Sequence, residues 1–478
     1  MTFAFGQPLA SWDTERRGRV ALIEAESGRA LSYGQLDAAV GEAACLLATP
    51  RKALLFLFCR NGLPSVLLYL AALRQGHAVA LLDAALDPEL KRQLIERYCP
   101  DLVWLPEGGS APSGWALDAA GLHPWRQGCL WRCTSEPPVL HPELALLLPT
   151  SGSTGSPKLV RLSAAALEAN AAAIAQGLGL TPADRAITSL PLFYAYGLSV
   201  LSSHLWAGAS VVLSAASAME RNFWDALRDH QCSSFAGVPY TYQMLQRLGF
   251  DKLDLPSLRV LTQAGGRLEP RLVQRFHEQM AARGGRFFVM YGQTEAVARI
   301  AILPAERLPE KLGAVGCAVP GGELRIDEQA APPGSPTGVG EVVYRGPNVM
   351  WGYAESASDL ARGDELGGEL RTGDLGYLDA DGVLFITGRS KRMGKLFGVR
   401  VNLDDIESMV REHGPAAVLD GGDRLLLFCA FGDPEALAAL QRELAARLRV
   451  HRSGLELRRI DELPLLASGK VDYQRLPA

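Results

Sequence analysis

From Lys52 onward, short apolar runs alternate with longer segments in which apolar positions recur every three or four residues. LLFLF (54–58), HAVALLD (77–83) and DLVWL (101–105) have the length and branching of buried strands, whereas LPSVLLYLAAL (63–73) and PELKRQLIERY (88–98) carry the helical period. Strand followed by helix followed by strand, with Gly and Pro at the turns, predicts βαβ units on a parallel sheet. The pattern resumes with a strand at ELALLL (143–148), a Gly/Ser-rich loop and an Ala-rich helix from Ser163. Strands at AITSL (186–190) and ASVVLS (209–214), a helix at NFWDALRDH (222–230), a strand at SSFAGV (233–238) and a helix through Tyr242 and Leu248 come next. LRVLTQAGG (258–266), a helix over 269–282 and the strand RFFVMY (286–291) complete two doubly wound α/β lobes over residues 1 to about 300.

The texture changes between about 312 and 389, where short strands are separated by Gly, Pro and Asp turns, including a hairpin signal at Asp381-Gly382. This predicts a small β-rich subdomain. After the charged piece SKRMGKLFG (390–398) an α+β tail is expected: a helix from Asn402, strands around Val418 and Leu427, a helix over 434–448 and a last strand near Leu457. The fold class is therefore α/β, with an N-terminal body over 1–389 and a small mobile α+β C-terminal domain over 391–478.

Composition narrows the classes further. The 478 residues are 48% hydrophobic and 21% charged, an ordinary globular balance that excludes wholesale disorder and collagen-like or coiled fibres. Lys and Arg number 48 against 52 Asp and Glu, a net charge of −4, so no basic field recruits nucleic acid or anionic lipid, and any bound anion must be held by local groups. The eight cysteines form no C-x-x-C pair, which disfavours zinc and suits reduced thiols. The N-terminal stretch lacks the pattern of a signal peptide, and the apolar run Leu63–Leu73 ends at Arg74, short of the roughly 20 residues of a membrane span. A cytoplasmic protein without a membrane span is expected.

The most informative stretch follows the strand at 143–148: Thr150, Ser151, Gly152, Ser153, Thr154, Gly155, Ser156, Pro157, Lys158. Two glycines, several hydroxyls, successive backbone N–H groups and a lysine are the parts of a phosphate cradle; a flexible Ser/Gly linker is the alternative. It is not a Walker loop, because two residues separate Gly155 from Lys158. Further on stand Tyr291-Gly292-Gln293-Thr294-Glu295, Arg371-Thr372-Gly373-Asp374, Gly388-Arg389-Ser390-Lys391 and Ser468-Gly469-Lys470. In order and spacing these five segments resemble the adenylate-forming superfamily of acyl-CoA synthetases, stand-alone adenylation domains and luciferases, and the resemblance covers nearly the whole chain.

That resemblance implies ATP- and Mg²⁺-dependent, AMP-forming activation of a carboxylic acid, followed by transfer to the thiol of CoA or of a carrier-protein phosphopantetheine. The loop Thr150–Lys158 would wrap the β- and γ-phosphates, with Gly265 and Gly266 also lining the nucleotide. Glu295 would hold Mg²⁺, Thr294 the α-phosphate, and Tyr291 would stack on adenine beside Gly292. Asp374 and Arg389 would hold the ribose. Lys470 would be the adenylation lysine, Lys391 the hinge and Lys395 a lysine for the second half-reaction. Two departures stand near Lys470: Leu466 where the family usually has Thr, and Tyr473 where Arg is frequent. PLFYAYGL (191–198) corresponds to the acyl pocket and gate; Tyr194 and Ala195 replace the Asp that amino-acid-activating members carry, and the wording is closer to acyl and aryl acid ligases. Tyr196, Val238, Gln293 and Ala298 complete an uncharged wall suited to an apolar acyl or aryl tail. No fused carrier domain is expected; a separate carrier protein is a candidate partner. An amide-forming ligase with an amine acceptor and a non-catalytic nucleotide-binding regulator remain as alternatives, and the second has little need for Lys470.

Overall fold

The computed structural model describes residues 14–106, 115–117, 128–133, 137–149, 158–331, 335–389, 392–396, 399–422, 424–448, 450–467 and 469–477. Two large sheets form the body. The first has eight strands, in spatial order Tyr353–Ala354, Leu159–Ser163, Leu144–Pro149, Ala78–Asp83, Leu54–Cys59, Leu102–Pro106, Gly128–Cys133 and Trp115–Leu117. Its four central strands are parallel. The second sheet has nine strands and a parallel run made by Val20–Glu24, Ser210–Leu213, Arg185–Ile187, Ser234–Gly237, Val260–Gln263 and Arg286–Tyr291.

The two lobes are not consecutive in sequence. The N-terminal strand Val20–Glu24 lies in the second sheet against Ser210–Leu213, and Tyr353–Ala354 returns to pair with Leu159–Ser163 in the first. A single hydrophobic core runs between the sheets, joining Leu55 and Leu57 of one to Val211, Ala236 and Phe288 of the other. The helix Leu63–Arg74 is buried along its whole length from Leu63 to Ala72, which accounts for an apolar stretch too short for a membrane. Among the described residues no helix is long and apolar enough to cross one. None of the eight cysteines forms a disulfide among the described residues.

The Ala-rich helix spans Ala164–Leu178 because Ser163 caps it, its hydroxyl accepting from the Ala166 N–H at 3.1 Å. Several elements escaped the sequence pattern, among them the N-terminal strand Val20–Glu24 and the helix Tyr33–Leu46, and two more lie near the site. The strand Leu159–Ser163 doubles back on Leu144–Pro149 as soon as the Ser/Gly loop ends. The segment around Tyr194 continues as the helix Ala195–Trp206, almost wholly buried, so no polar face marks its period.

A four-stranded antiparallel sheet follows, in order Glu323–Asp327, Gly340–Arg345, Glu369–Leu378 and Leu384–Arg389. Its last turn contains Gly382 at φ +73°, and Lys311 bridges Asp379 and Asp381 beside it. Beyond it, the strands Ala416–Asp420, Leu425–Cys429 and Leu455–Arg459 form a small sheet. The helices Leu403–Arg411 and Pro434–Leu448 cover it, with a core of their own around Ile406, Val418, Leu427 and Leu444.

Candidate active site

Three parallel strands of the nine-stranded sheet, Ser234–Gly237, Val260–Gln263 and Arg286–Tyr291, end along one edge. The segments leaving them carry Val238, Gly265 and Gly266, and Thr294 and Glu295. Carboxyl ends of parallel strands are where open α/β sheets bind ligands, because the loops there can open into a crevice. After Tyr291 the chain turns sharply. Thr294–Ala296 is a single 3₁₀ turn, and Val297 sits at φ +62° in a three-residue turn closed by the Ala298 N–H onto the Ala296 carbonyl at 2.6 Å. A left-handed φ in a β-branched residue is strained. The reversal presses the Ala298 carbonyl onto Gly292, where a Cβ would have no room. Asn348 clamps the turn by donating to the Ala296 carbonyl at 2.9 Å and the Arg299 carbonyl at 3.0 Å.

Asp374 and Arg389 are directly opposite in the antiparallel pair of strands Glu369–Leu378 and Leu384–Arg389. Their separation in sequence is therefore a register, and the Arg389 Nε donates to Asp374 Oδ1 at 3.0 Å. The other carboxylate oxygen accepts from the Tyr291 hydroxyl at 2.5 Å and from Gln293 Nε2 at 2.7 Å. Gln293 also donates to the Thr372 carbonyl at 2.8 Å. Asp374 is thus buried with three donors around it, while Arg389 is exposed at the rim. Burial, followed by the charge of Asp374, pushes the Tyr291 phenol well above its usual range and keeps it a donor. Gln293, expected on the wall of the acid pocket, stands with the ribose-site candidates.

Glu295 Oε1 accepts from the Tyr353 hydroxyl at 2.8 Å. Lys158 ion-pairs with Glu355 at 2.6 Å and its ammonium lies 5.9 Å from the Tyr353 ring centroid. The pairing of Tyr353 with Val160 brings these groups together: a two-residue strand gathers the lysine of the Ser/Gly loop and the carboxylate of the TE pair. Nothing in the sequence around Tyr353 signalled this. Among the described residues no cluster of three or more His, Cys, Asp or Glu forms a metal cage. Magnesium bound through one or two carboxylates plus phosphate oxygens and water needs no such cage, so a lone Glu295 fits. Thr150, Ser151, Gly152, Ser153, Thr154, Gly155 and the hinge candidate Lys391 lie outside the described residues. Lys395 is placed on the strand Met393–Leu396 opposite Arg400, and its side chain lies outside them too.

Lys470 arrives from the C-terminal domain. Leu465 bridges Val471, and the turn between them is closed by the Leu466 N–H to the Lys470 carbonyl and the Gly469 N–H to the Leu466 carbonyl, both at 2.8 Å. Gly469 holds φ +74°, and any Cβ there would strike Val238 at 2.7 Å, so only glycine lets this turn seat. The Lys470 ammonium lies 5.4 Å from the Tyr194 ring centroid, and its stem faces Gly265. Burial, followed by the nearby Arg389 charge, lowers its pKa to about 8, while Glu295 and Asp374 pull the other way. Those three groups lie within electrostatic reach of Lys470. Tyr473, the departure noted near Lys470, donates to the Glu407 carboxylate at 2.8 Å and accepts from Arg392 at 2.7 Å. It ties the lysine turn to the chain just past residue 391.

On the acid side, Ala195, Tyr196, Val238 and Ala298 are buried and Tyr194 half-buried. Tyr194 and Tyr196 meet edge to face with ring centroids 6.3 Å apart. The wall is not wholly uncharged: Arg299, five residues past Thr294, is 2% exposed and turns inward beneath Tyr196. No spacing in the sequence marks which way it points.

With this geometry in hand, comparison with known proteins is decisive. Residues 9–354 match the model of the AMP-binding enzyme family. The chain belongs to that family. A sulfoacetate–CoA ligase of Cupriavidus necator is 30% identical over 95% of this chain and 94% of its own length. An oxalate–CoA ligase of Arabidopsis thaliana is 30% identical over 70% of this chain and 67% of its own. The fold also matches an O-succinylbenzoate coenzyme A synthetase of Bacillus subtilis in complex with AMP, with a TM-score of 0.78 and 24% identity over 97% of each chain. The protein is an AMP-forming acid–thiol ligase.

Proposed function

We propose that this AMP-binding enzyme converts a small carboxylic acid to its CoA thioester through an acyl-adenylate, with Lys470 serving the first half-reaction. The acid's carboxylate attacks the α-phosphorus and pyrophosphate leaves; a thiol then attacks the acyl carbon and AMP leaves. The observation that carries the reading is the convergence of Lys470 with Tyr194 and Gly265, within the electrostatic reach of Glu295, Asp374 and Arg389. Two anions must approach one another in the first step, and an ammonium beside them stabilises the charge that develops in the transition state.

In this reading the residues Thr150–Lys158 cradle the β- and γ-phosphates, Lys158 leaving Glu355 to do so. Asp374, oriented by Tyr291, Gln293 and Arg389, receives the ribose hydroxyls. Thr294 contacts the α-phosphate. Glu295 holds magnesium, which when bound offsets phosphate charge and favours pyrophosphate as the leaving group. Rotation at Lys391 then withdraws Lys470 and brings the strand with Lys395 toward the thiol. The names of the relatives favour CoA over a carrier protein as acceptor. Cysteines without disulfides among the described residues agree with a reduced, cytoplasmic setting.

Pyrophosphate exchange across a panel of small acids, followed by addition of CoA, holo carrier protein or an amine, tests the proposal. Exchange with discharge by CoA is expected. Discharge by an amine at low concentration with none by CoA would replace the thiol by an amine, and absence of exchange with every acid would leave a nucleotide-binding regulator.

A further inference from the structure

Two arginines are fully buried among the described residues, and they are treated differently. Arg161 ion-pairs with Glu365 and also donates to the carbonyls of Trp351, Arg362 and Gly363. Arg299 has no carboxylate partner among the described residues. Its Nη2 donates to the Ser199 hydroxyl at 3.2 Å, its guanidinium carbon lies 4.3 Å from the Tyr196 ring centroid, and its buried Nε, like that of Arg161, has no hydrogen-bond partner. Only the phenols of Tyr196 and Tyr194 moderate the desolvation of its charge. Burying a cation without its anion is costly, more so than burying the pair.

Arg299 also lines a cavity. A space of about 20 Å³ lies between the helices Ala164–Leu178 and Ala195–Trp206 and the nine-stranded sheet, lined by Arg299, Ser199 and Thr262 and, over most of its surface, by apolar side chains such as Ile174, Leu178 and Met290. The neighbouring histidine adds no competing charge: burial lowers the His204 pKa to about 4, and its ring nitrogens meet the Val200 carbonyl and the Ser234 hydroxyl. Space of this size suits one compact group rather than an alkyl tail. Tyr194 and Tyr196 stand in series between the two cations, since Lys470 lies over the first ring and Arg299 over the second.

We propose that Arg299 is a specificity-determining residue that pairs with a second anionic group at the distal end of the acid, so that the substrate is a short dicarboxylate-type acid held between Lys470 and Arg299. The proposal rests on the adenylation reading above. It replaces the apolar tail that the uncharged wall suggested, because an apolar tail would leave the Arg299 charge buried and unanswered. The group chooses the acid and takes no part in bond making.

The test is pyrophosphate exchange by the full-length protein with malonate, succinate, glutarate and adipate, each against its monoamide, with butyrate and benzoate as acids lacking a distal polar group. At least one diacid is expected to exceed its monoamide in kcat/KM by about 30-fold or more, the scale of a desolvated charge pair. Arg299→Met should erase that ratio mainly by raising KM for the diacid, and Arg299→Lys should restore part of it. Exchange with butyrate, benzoate or the monoamides at rates equal to or above every diacid overturns the assignment while leaving adenylation intact. Equal losses on diacid and monoamide in Arg299→Met, with a lowered melting temperature, overturn it in favour of a structural arginine. Absence of exchange with all of these acids removes the adenylation reading and this proposal with it. Should Arg299→Met fail to fold, the wild-type ratio of diacid to monoamide decides alone.

Discussion

Lys470 is the side chain whose environment most directly predicts behaviour. Loss of one transition-state donor typically costs about 10²–10³ in rate, so Lys470→Ala should reduce pyrophosphate exchange about a hundredfold or more while ATP binding persists. Its pKa of about 8 in the free protein adds a sign. The ammonium loses its proton as pH rises through that value, so kcat/KM for exchange should fall on the alkaline side near pH 8 and hold below it. Lys470→Arg, permanently charged, should be slower but lack that limb; an unchanged limb would assign it to another group. Asp374 makes a different prediction. It accepts from Tyr291, Gln293 and Arg389, so Asp374→Asn turns a donor toward donors. A rise in KM for ATP and a loss of about 1–3 kcal/mol of stability are expected from thermal or denaturant melts.

Strands and helices explain which parts of this arrangement were legible. The strand ends bearing Val238, Gly265 and Thr294 follow runs with clear β pattern, and the helix over 434–448 is observed as Pro434–Leu448. The helix expected from Ser163 is capped by that residue, so Ser163→Ala should cost about 1 kcal/mol in a melt without altering KM for ATP. The helix Ala195–Trp206 was hidden because it is buried on nearly all sides, so burial erased the periodicity that exposes most helices. The short strand Tyr353–Ala354 was hidden because it exists only through its pairing with Leu159–Val160. Arg299 was hidden for a similar reason: its direction is set by the strained turn at Val297 and the Asn348 clamp, residues remote in sequence or unusual in backbone angle.

The position of the C-terminal domain joins these parts into one machine. Its Lys470 turn is seated against Val238, as the proposed adenylation role of Lys470 calls for, and a side chain at residue 469 cannot share that space. Gly469→Val should therefore impair pyrophosphate exchange strongly while leaving thiolysis of a supplied acyl-adenylate largely intact. Lys391→Pro, at the proposed hinge, should do the opposite, sparing exchange and impairing thioester formation. Measured together, the two variants separate the half-reactions, and equal loss of both in either variant would dissociate that position from domain rotation. A net charge of −4 leaves the molecule without a basic surface, so phosphate recognition depends on placed groups, and salt should affect KM for ATP only modestly.

Read in order, the residues specified the α/β class, most strands and helices beyond Lys52, and the motifs whose resemblance points to the family and its chemistry. They could do so because periodicity, turn chemistry and short spacings are local properties of the chain. Tertiary structure alone decided that Val20–Glu24 crosses into the second sheet, that Gln293 and Tyr291 turn to Asp374, that Tyr353 holds Glu295, and that Arg299 is buried without a carboxylate. Those facts depend on which distant segments share a core or a register. The motif residues therefore point to the reaction, and the packing behind them sets the shape and charge of the space around it.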